Sequence, residues 1–314
     1  MNDLKNLFEG FTIHLEAAGR RPTTVTWYAK HVNRFMNWLN QEQGLTTVSD
    51  IAPLHIRRFI AYQQNDVRAW ESNPHVPTQD HGLSSTYIAG SVRALRGWFN
   101  WMEDEEYIDK NPMRKVKTPK EYQRLIEPLE AEEIKRLLKA IDGTTVAAYR
   151  NRAIILTLLD CGLRVSELCA LDIDDVDLRS GWLRVREGKG WKERKVPVGG
   201  TLRRALWQYS TVRPNPLGGN QRFFLTEQGW PLPTGRVRKV LLHFGHKAKV
   251  SDIHPHRFRH TFALQFLRNG GDSFTLKMLM GHTTLEMVNR YVRLAAVDLK
   301  SIHAKASPAD HLRL

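Results

Sequence analysis

The stretch from residue 254 to residue 293 constrains the fold of this chain more than any other, because its sequence marks where helices begin and end. Pro255 disfavours helix at the residue before it and therefore predicts a helix that begins near His256. Apolar residues then recur at helical spacing. The segment Asn269-Gly270-Gly271 predicts the end of that helix, because glycine readily adopts the backbone conformation of a C-cap.

Two further helices are predicted in the same stretch. A short helix is expected over Ser273–Met280, with the next residue, a glycine, as its C-cap. Thr283 and Glu286 have the spacing of a capping box, which predicts the start of a last helix. His282 would then lie in the turn between the two helices, and Tyr291 would lie on the last one.

Four side chains of this stretch offer one kind of chemistry. Arg259 presents a planar set of donors that matches phosphate oxygens. His256 and His282 can donate a hydrogen bond or move a proton near neutral pH. Tyr291 can act as a nucleophile that becomes covalently attached. Because His256 and Arg259 are three residues apart at a helix start, both are expected on one face, at an end that favours anions.

These residues form the pattern HxxRH, then Gly-His, and then a tyrosine nine residues after His282. This pattern resembles the C-terminal signature of the tyrosine recombinases. That family comprises the phage integrase and Xer group, and its pattern also requires an arginine in a GLRxSEL context and a lysine in a hairpin turn. Arg164 lies in the sequence GLRVSEL at 162–168. Lys189 lies in GKGWKER at 188–194.

The resemblance spans residues 127–291 and implies a site-specific DNA recombinase. Such an enzyme cuts and rejoins DNA through a 3′-phosphotyrosyl intermediate and a Holliday junction, without metal, ATP or another cofactor. The implied catalytic residues are Arg164, Lys189, His256, Arg259, His282 and the nucleophile Tyr291. Glu167 and His260 are expected in supporting positions, with Glu167 able to pair with the arginine three residues before it.

The chemistry of the side chains suggests a role for each member of that set. Arg164 and Arg259 would grip the non-bridging oxygens of a phosphodiester, and His282 would add a donor. His256 would serve as a donor or would accept the proton of the tyrosine, whose pKa is ordinarily about 10. Lys189 would protonate the leaving 5′ oxygen, because lysine, unlike arginine, gives up its proton in a desolvated site.

Composition favours a nucleic-acid partner. The 314 residues carry a formal net charge of +14, and 41% of them are hydrophobic, which is enough for packed cores. The two cysteines, Cys161 and Cys169, are expected to be buried thiols in a reducing compartment. His256 and His260 could imitate a zinc pair, but no glutamate follows the first and no third ligand is evident. Neither a signal peptide nor a membrane span is visible, so a cytoplasmic, nucleoid-associated protein is expected.

Residues 1–112 predict four amphipathic helices that form a small bundle. Thr23 or Thr24 is the expected N-cap of the second helix. The polar faces of the bundle are strongly basic, which predicts a surface that faces DNA. The candidate DNA-contacting residues are Arg57, Arg58, Arg93, Arg96, Lys115 and Lys117.

The expected fold is mainly α-helical with a small β-sheet. A helical-bundle core-binding domain at 1–112 and a basic linker at 113–124 would precede an α+β catalytic domain at 125–314, which includes the C-terminal tail. The catalytic domain should contain a hairpin with Lys189 at its tip. The resemblance implies that the two domains form a C-shaped clamp on DNA. It also implies that the tail reaches a neighbouring protomer, with Leu299 and Ile302 as anchors.

The family resemblance further implies a homotetramer that acts on two double-stranded sites with short inverted-repeat cores, and no membrane partner. Within the family, an Xer-like or a transposon- or plasmid-type enzyme is favoured, because no additional N-terminal module is visible. A phage-type integrase that lacks an arm-binding domain remains an alternative. A type IB topoisomerase-like enzyme that relaxes DNA is another, and a DNA-binding protein without catalysis is a third.

Overall fold

The computed structural model describes residues 3–68, 82–121, 127–186, 193–282 and 284–295, together with residues 303 and 307. Over these residues the chain is mainly α-helical and has one small antiparallel sheet, as the sequence predicts. It divides into two compact units, Met1–Arg124 and Leu125–Leu314. No helix in the described parts of the chain is long and apolar enough to cross a membrane.

The first unit is a helical bundle, which confirms the prediction. In its described part the α-helices are α1 (Leu4–Ala17), α2 (Pro22–Gln43), α3 (Pro53–Asn65) and α4 (Ser85–Asp104). Their apolar faces meet in a core rich in aromatic rings, of which Trp98, Phe35, Phe59 and Phe99 are among the largest fully buried side chains. Burial of such rings is the main stabilising contribution to a unit of this size.

The start of α2 differs from the prediction. The N-cap is Arg21 and not Thr23 or Thr24, and Pro22 occupies the first helical position. Proline is suited to that position because its fixed φ matches the helix and its missing N–H would have had no helical partner.

The basic stretch predicted as a linker begins inside the first unit. Residues Pro112–Lys115 form a 3-10 helix that packs against α3 and α4. Met113 and Val116 are only 1% and 5% exposed and belong to the core of the bundle. Residues 113–116 therefore contribute to the stability of this unit, whatever the residues after them do.

The second unit combines helices with the small sheet. Its α-helices over the described residues are α5 (Ala131–Ala140), α6 (Val146–Cys161), α7 (Val165–Ala170), α8 (Gly200–Val212), α9 (Thr234–Lys247), α10 (Pro255–Arg268), α11 (Ser273–Met280) and α12 (Glu286–Ala295). The strands β1 (Val176–Asp177), β2 (Trp182–Val185) and β3 (Arg194–Pro197) pair in that order. The predicted hairpin is present, with Val185 opposite Arg194 at its described end.

Helix α6 is the centre of the second unit and packs against α8 and α10. It ends at Gly162, whose φ of +58° is unfavourable for residues with a Cβ. A Cβ there would also lie 2.2 Å from the ring of Phe262 on α10. Glycine is thus required for the tight turn that leads from the buried helix to Arg164.

The helix boundaries predicted around the C-terminal motif are confirmed. Pro255 is the first residue of α10 and Asn269 is its C-cap. Helix α11 spans the predicted residues, and Gly281 ends it with a left-handed conformation. Thr283, the first member of the predicted capping box, lies outside the described residues.

Candidate active site and DNA-binding surface

Arg164 is held at the beginning of α7 by Glu167. Its Nη1 donates to Glu167 Oε1 at 2.7 Å, and its backbone N–H donates to Oε2 at 2.8 Å. The predicted contact between the two residues is therefore present. The carboxylate side chain is 2% exposed, whereas the guanidinium side chain is 25% exposed, so the arginine retains access to solvent.

Arg194, at the beginning of β3, also contacts the Glu167 carboxylate. Its Nη1 donates to Oε1 at 3.1 Å and its Nη2 donates to Oε2 at 2.8 Å, a bidentate arrangement. Its Nε donates to the carbonyl of Leu279 near the end of α11, at 2.7 Å. Arg194 is not among the site residues predicted from the sequence. The signal that was available is its place in the GKGWKER segment, five residues after Lys189.

Arg259 lies on the inner face of α10 and is 5% exposed. Its Nη1 donates to the carbonyl of Gly162, and its Nη2 donates to the carbonyl of Met280 at 2.6 Å. The same Nη2 lies 3.0 Å from His282 Nε2. This guanidinium therefore joins the turn before Arg164 to the turn that carries His282.

The site has an excess of positive charge. The guanidiniums of Arg164, Arg194 and Arg259 carry three positive charges against the one negative charge of Glu167, which leaves +2. Burial lowers the pKa of Arg259 to about 10, and the charges of Arg164 and Arg194 add to that effect. An unbalanced positive charge of this kind favours the binding of an anion, because an arriving anion reduces the repulsion.

Glu167 remains ionised in this cluster. Burial on its own would raise the pKa of the carboxyl group, but the hydrogen bonds and positive charges of Arg194 and Arg164 lower it overall. An ionised carboxylate can hold both guanidiniums at once, which a protonated one could not.

His282 lies beyond the C-cap of α11. Burial lowers its pKa to about 4, and the charges of Arg259, Arg164 and Arg194 contribute. The ring is thus neutral near pH 7. Because Nε2 accepts from Arg259, the proton is assigned to Nδ1, which is buried and has no hydrogen-bond partner among the described residues.

His256 lies on the first turn of α10 with an exposed side chain. Desolvation lowers its pKa, and the charges of His254, Arg259, Arg238 and Arg164 lower it further. It is therefore neutral near pH 7 and able to accept a proton. No hydrogen bond joins it to Tyr291 among the residues that the structure describes.

Tyr291, on α12, is 6% exposed. Its ring lies against the ring of His260, with centroids 5.2 Å apart and planes inclined by 52°. Burial raises the pKa of the phenol, while the positive charges of Arg259 and Arg290 act in the opposite direction. Burial also lowers the pKa of His260 to about 4. The histidine in contact with the phenol ring is thus His260, one helical turn from His256.

The remaining predicted residues of the catalytic unit lie outside the described part of the chain. Lys189 belongs to residues 187–192, and Leu299 and Ile302 belong to the tail. No group of three or more potential metal ligands is present among the residues that the structure describes.

In the first unit, most of the predicted DNA-contacting arginines bind the basic stretch after α4. Arg57 donates to the carbonyl of Lys115 at 3.0 Å, and Arg96 donates to Thr118 Oγ1 and to the carbonyl of Val116, both at 2.9 Å. Arg93 forms an ion pair with Glu121. These arginines therefore hold residues 115–121 against the bundle.

A basic groove follows from that arrangement. Arg57, Lys115 and Lys117 line a cavity of about 330 Å³ together with Ile60 and Val116. Arg58, the fourth predicted arginine, donates to Gln43 Oε1 at 3.2 Å. Three of the six predicted DNA-contacting side chains thus share one concave surface.

A second basic group surrounds Tyr87 on α4. Lys30 Nζ lies 5.0 Å from the centroid of the ring, and Arg34 Nη1 donates to the phenol oxygen at 3.1 Å. Below them, His31 Nδ1 lies 2.9 Å from Ser91 Oγ in the core of the bundle. Cations stacked on an aromatic ring remain available to phosphates on their other side.

Comparison with known proteins extends over both units. The family described as the phage integrase family matches residues 127–297. Tyrosine recombinase XerC of Pelotomaculum thermopropionicum is 31% identical over 313 residues, which cover 96% of this chain and 97% of that protein. Tyrosine recombinase XerA of Thermococcus kodakarensis is 31% identical over 319 residues, 99% of each chain.

Solved structures show the same fold. The Tn1549 transposon integrase in complex with circular intermediate DNA superposes with a TM-score of 0.72 at 19% identity, covering 98% of this chain and 100% of that one. The XerH site-specific recombinase bound to its palindromic difH substrate gives a TM-score of 0.70 at 19% identity, covering 92% and 80%. At these identities the likeness establishes the shared fold.

Proposed function

This chain belongs to the phage integrase family and is a tyrosine site-specific recombinase of the Xer-like type, and we propose that Tyr291 cleaves DNA at the phosphate site formed by Arg164, Arg259 and His282. The observation that supports this assignment most strongly is the cluster of three guanidiniums around the buried Glu167 carboxylate, of which Arg259 interacts with the Tyr291 phenol. The substrate of this recombinase is double-stranded DNA, in keeping with the formal net charge of +14.

The guanidiniums balance the charge of the reacting phosphodiester. Arg164 is the most accessible of the three and would bind a non-bridging oxygen, while Arg259 and His282 would donate to the other. Burial and the neighbouring positive charges lower the pKa of His282, and the negative charge of an entering phosphate would offset the second of these effects. The phosphate would therefore favour the protonated ring of His282, which could donate a hydrogen bond to a phosphate oxygen in the transition state.

The covalent step exchanges one phosphate ester for another. Tyr291 Oη bonds to phosphorus and the bond from phosphorus to the 5′ oxygen breaks, which leaves a 3′-phosphotyrosyl link. His256 would receive the phenol proton and Lys189 would give a proton to the leaving 5′ oxygen. Because the ester energy is retained in the link, ligation needs neither ATP nor another cofactor.

Strand exchange follows when the 5′ hydroxyl of a second duplex attacks the phosphotyrosyl link and releases Tyr291. We extend the proposal to four protomers on two sites with inverted-repeat cores, joined through a Holliday junction, acting in the cytoplasm at the nucleoid. The symmetry of such a site would match identical protomers bound to its two halves.

The test is covalent trapping with Tyr291→Phe. We expect wild-type protein, in buffer containing EDTA, to form a detergent-stable DNA adduct on fragmented genomic DNA, whereas Tyr291→Phe binds DNA without forming one. Tyr209→Phe is the control, because it removes the hydroxyl of another buried tyrosine of the same unit and should still form the adduct. An adduct with Tyr291→Phe would overturn the assignment of the nucleophile.

Sequencing the trapped DNA would identify the recombination site and whether it lies in a chromosome, a plasmid or a mobile element. Relaxation of plasmid without any preferred site would instead indicate a type IB topoisomerase-like enzyme.

A further inference from the structure

We propose that Arg194 is a positioning residue for strand cleavage, which fixes the orientation of Arg164 through Glu167 and the position of the His282 turn through the end of α11. This inference rests on the function proposed above and adds a residue to it.

The donors of Arg194 are directed at protein acceptors. Nη1 and Nη2 donate to the two oxygens of Glu167, and Nε donates to the carbonyl of Leu279. The side chain is 9% exposed and the carboxylate it contacts is 2% exposed. Because both Nη atoms form a bidentate pair with a buried carboxylate, we infer that the effect of Arg194 on catalysis passes through its partners.

On one side, the bidentate contact determines where the carboxylate of Glu167 can lie. Oε1 accepts from Arg194 Nη1 and from Arg164 Nη1, at 3.1 and 2.7 Å. Oε2 accepts from Arg194 Nη2 and from the backbone N–H of Arg164, both at 2.8 Å. A planar guanidinium fixes both oxygens at once, and the oxygens in turn fix the more exposed Arg164.

On the other side, Arg194 and Arg259 bind consecutive carbonyls at the end of α11. Arg194 binds that of Leu279, and Arg259 binds that of Met280 as well as His282 Nε2. The last carbonyls of a helix lack helical partners and carry partial negative charge, so two guanidiniums stabilise this end strongly. A Cβ on Gly281 would lie 3.0 Å from Arg194 Nη1, which shows how closely the turn before His282 packs on it.

Lysine cannot reproduce this arrangement. Its single ammonium could reach one carboxylate oxygen or the carbonyl of Leu279, but it lacks the planar set of donors that joins all three acceptors. Arg194→Lys therefore keeps the positive charge at this position but loses the bidentate contact with Glu167. Loss of alignment of a phosphate-binding group can slow a reaction by about 100-fold without loss of binding.

The first measurement is single-turnover cleavage by the 314-residue chain on a nicked duplex that carries the sequence recovered from the wild-type adduct. We expect Arg194→Lys to lower the cleavage rate by about 10- to 100-fold, with an affinity for the duplex close to that of wild type. Arg213→Lys is the matched control. Arg213 also donates to two backbone carbonyls of the second unit, those of Phe223 and Arg222, and its replacement should leave the rate close to wild type.

The second measurement is a double-mutant cycle with Arg164→Lys, run well below the lowest melting temperature of the variants. If Arg194 acts in part by positioning Arg164, the loss in the double variant should be smaller than the product of the two single losses, because part of the effect of Arg194 is already absent in Arg164→Lys. A purely structural role would instead make the two losses multiply. Arg194→Gln, which keeps the stem and a neutral donor, provides a second cycle should the lysine variant unfold.

The outcomes separate this inference from the proposed function. Wild-type adduct formation, together with an unchanged rate for Arg194→Lys or multiplicative losses in both cycles, overturns the role of Arg194 alone. Adduct formation by Tyr291→Phe overturns the proposed nucleophile whatever the cycles give.

Discussion

Glu167 is the acidic side chain that two guanidiniums share, and its burial makes that contact energetically important. Its side chain is 2% exposed, so the desolvation of the carboxylate must be offset by its partners. Removing the charge while keeping the shape would deprive Arg164, Arg194 and Arg259 of the carboxylate that offsets their charge among the described residues.

We therefore expect Glu167→Gln to lower the free energy of unfolding of the second unit by about 3 kcal/mol, the scale for breaking a buried ion pair. Urea denaturation measures this, and added sulfate should restore more stability to the variant than to wild type, because an anion replaces the missing charge. Glu132→Gln is the control: Glu132 pairs with Lys135 at a site where both side chains are more than 70% exposed. Equal losses in the two variants would contradict this account of the cluster.

The contrast between Glu167 and Arg194 shows what residue spacing can predict. Glu167 follows Arg164 by three residues, so a helix start brings them together, and the sequence is sufficient. Arg194 reaches the same carboxylate across 27 residues, through the pairing of β2 with β3 and the packing of α11 on β3. Those are tertiary contacts, and in the sequence Arg194 is one of several basic residues in the hairpin.

At the scale of elements, the sequence predicts helices where proline and glycine mark their ends. Pro255, the Asn269-Gly270-Gly271 segment and Gly281 determine α10 and α11, because each acts through its own backbone conformation. The burial of residues 113–116 was not predictable in the same way. Met113 and Val116 stand among basic residues, and only the groove between α3 and α4 gives them an apolar environment.

The contact of α2 with α4 contains a buried histidine whose titration should affect stability. His31 is 3% exposed, and burial together with the charges of Lys30, Arg34 and Arg93 lowers its pKa from 6.5 to about 4. At a pH between these two pKa values, His31 binds a proton in the unfolded chain but not in the folded chain. Stability is therefore fully present above pH 6.5 and falls as the pH drops toward 4.

We expect the free energy of unfolding to decrease between pH 6.5 and 4.5 more steeply in wild type than in His31→Gln, by at most about 1.4 kcal/mol per pH unit. Glutamine can still bond Ser91 but does not titrate. Urea denaturation at several pH values provides the comparison, with substitution of the exposed His14 by glutamine as the control. Parallel pH dependence in wild type and His31→Gln would show that His31 is not responsible.

At the scale of the whole molecule, the net charge of +14 is divided unequally, because residues 1–124 contribute +2 and residues 125–314 contribute +12. Within the first unit, Arg57, Arg93 and Arg96 are engaged with residues 115–121, so part of its positive charge maintains the fold. Lys30 and Arg34 are instead stacked on Tyr87 at the surface of the bundle. We expect these two side chains to neutralise phosphates of bound DNA.

DNA affinity should accordingly depend on salt through Lys30 and Arg34. Each phosphate neutralised adds about 0.9 to the slope of log K against log salt concentration, so we expect Lys30→Gln combined with Arg34→Gln to reduce the magnitude of that slope by about 2. The loss of affinity should be similar for specific and nonspecific duplexes, because phosphates carry no sequence information. Lys135→Gln is the control, since Lys135 is already paired with Glu132. If the slope of the double variant equals that of wild type in fluorescence anisotropy titrations, these residues do not face the DNA backbone.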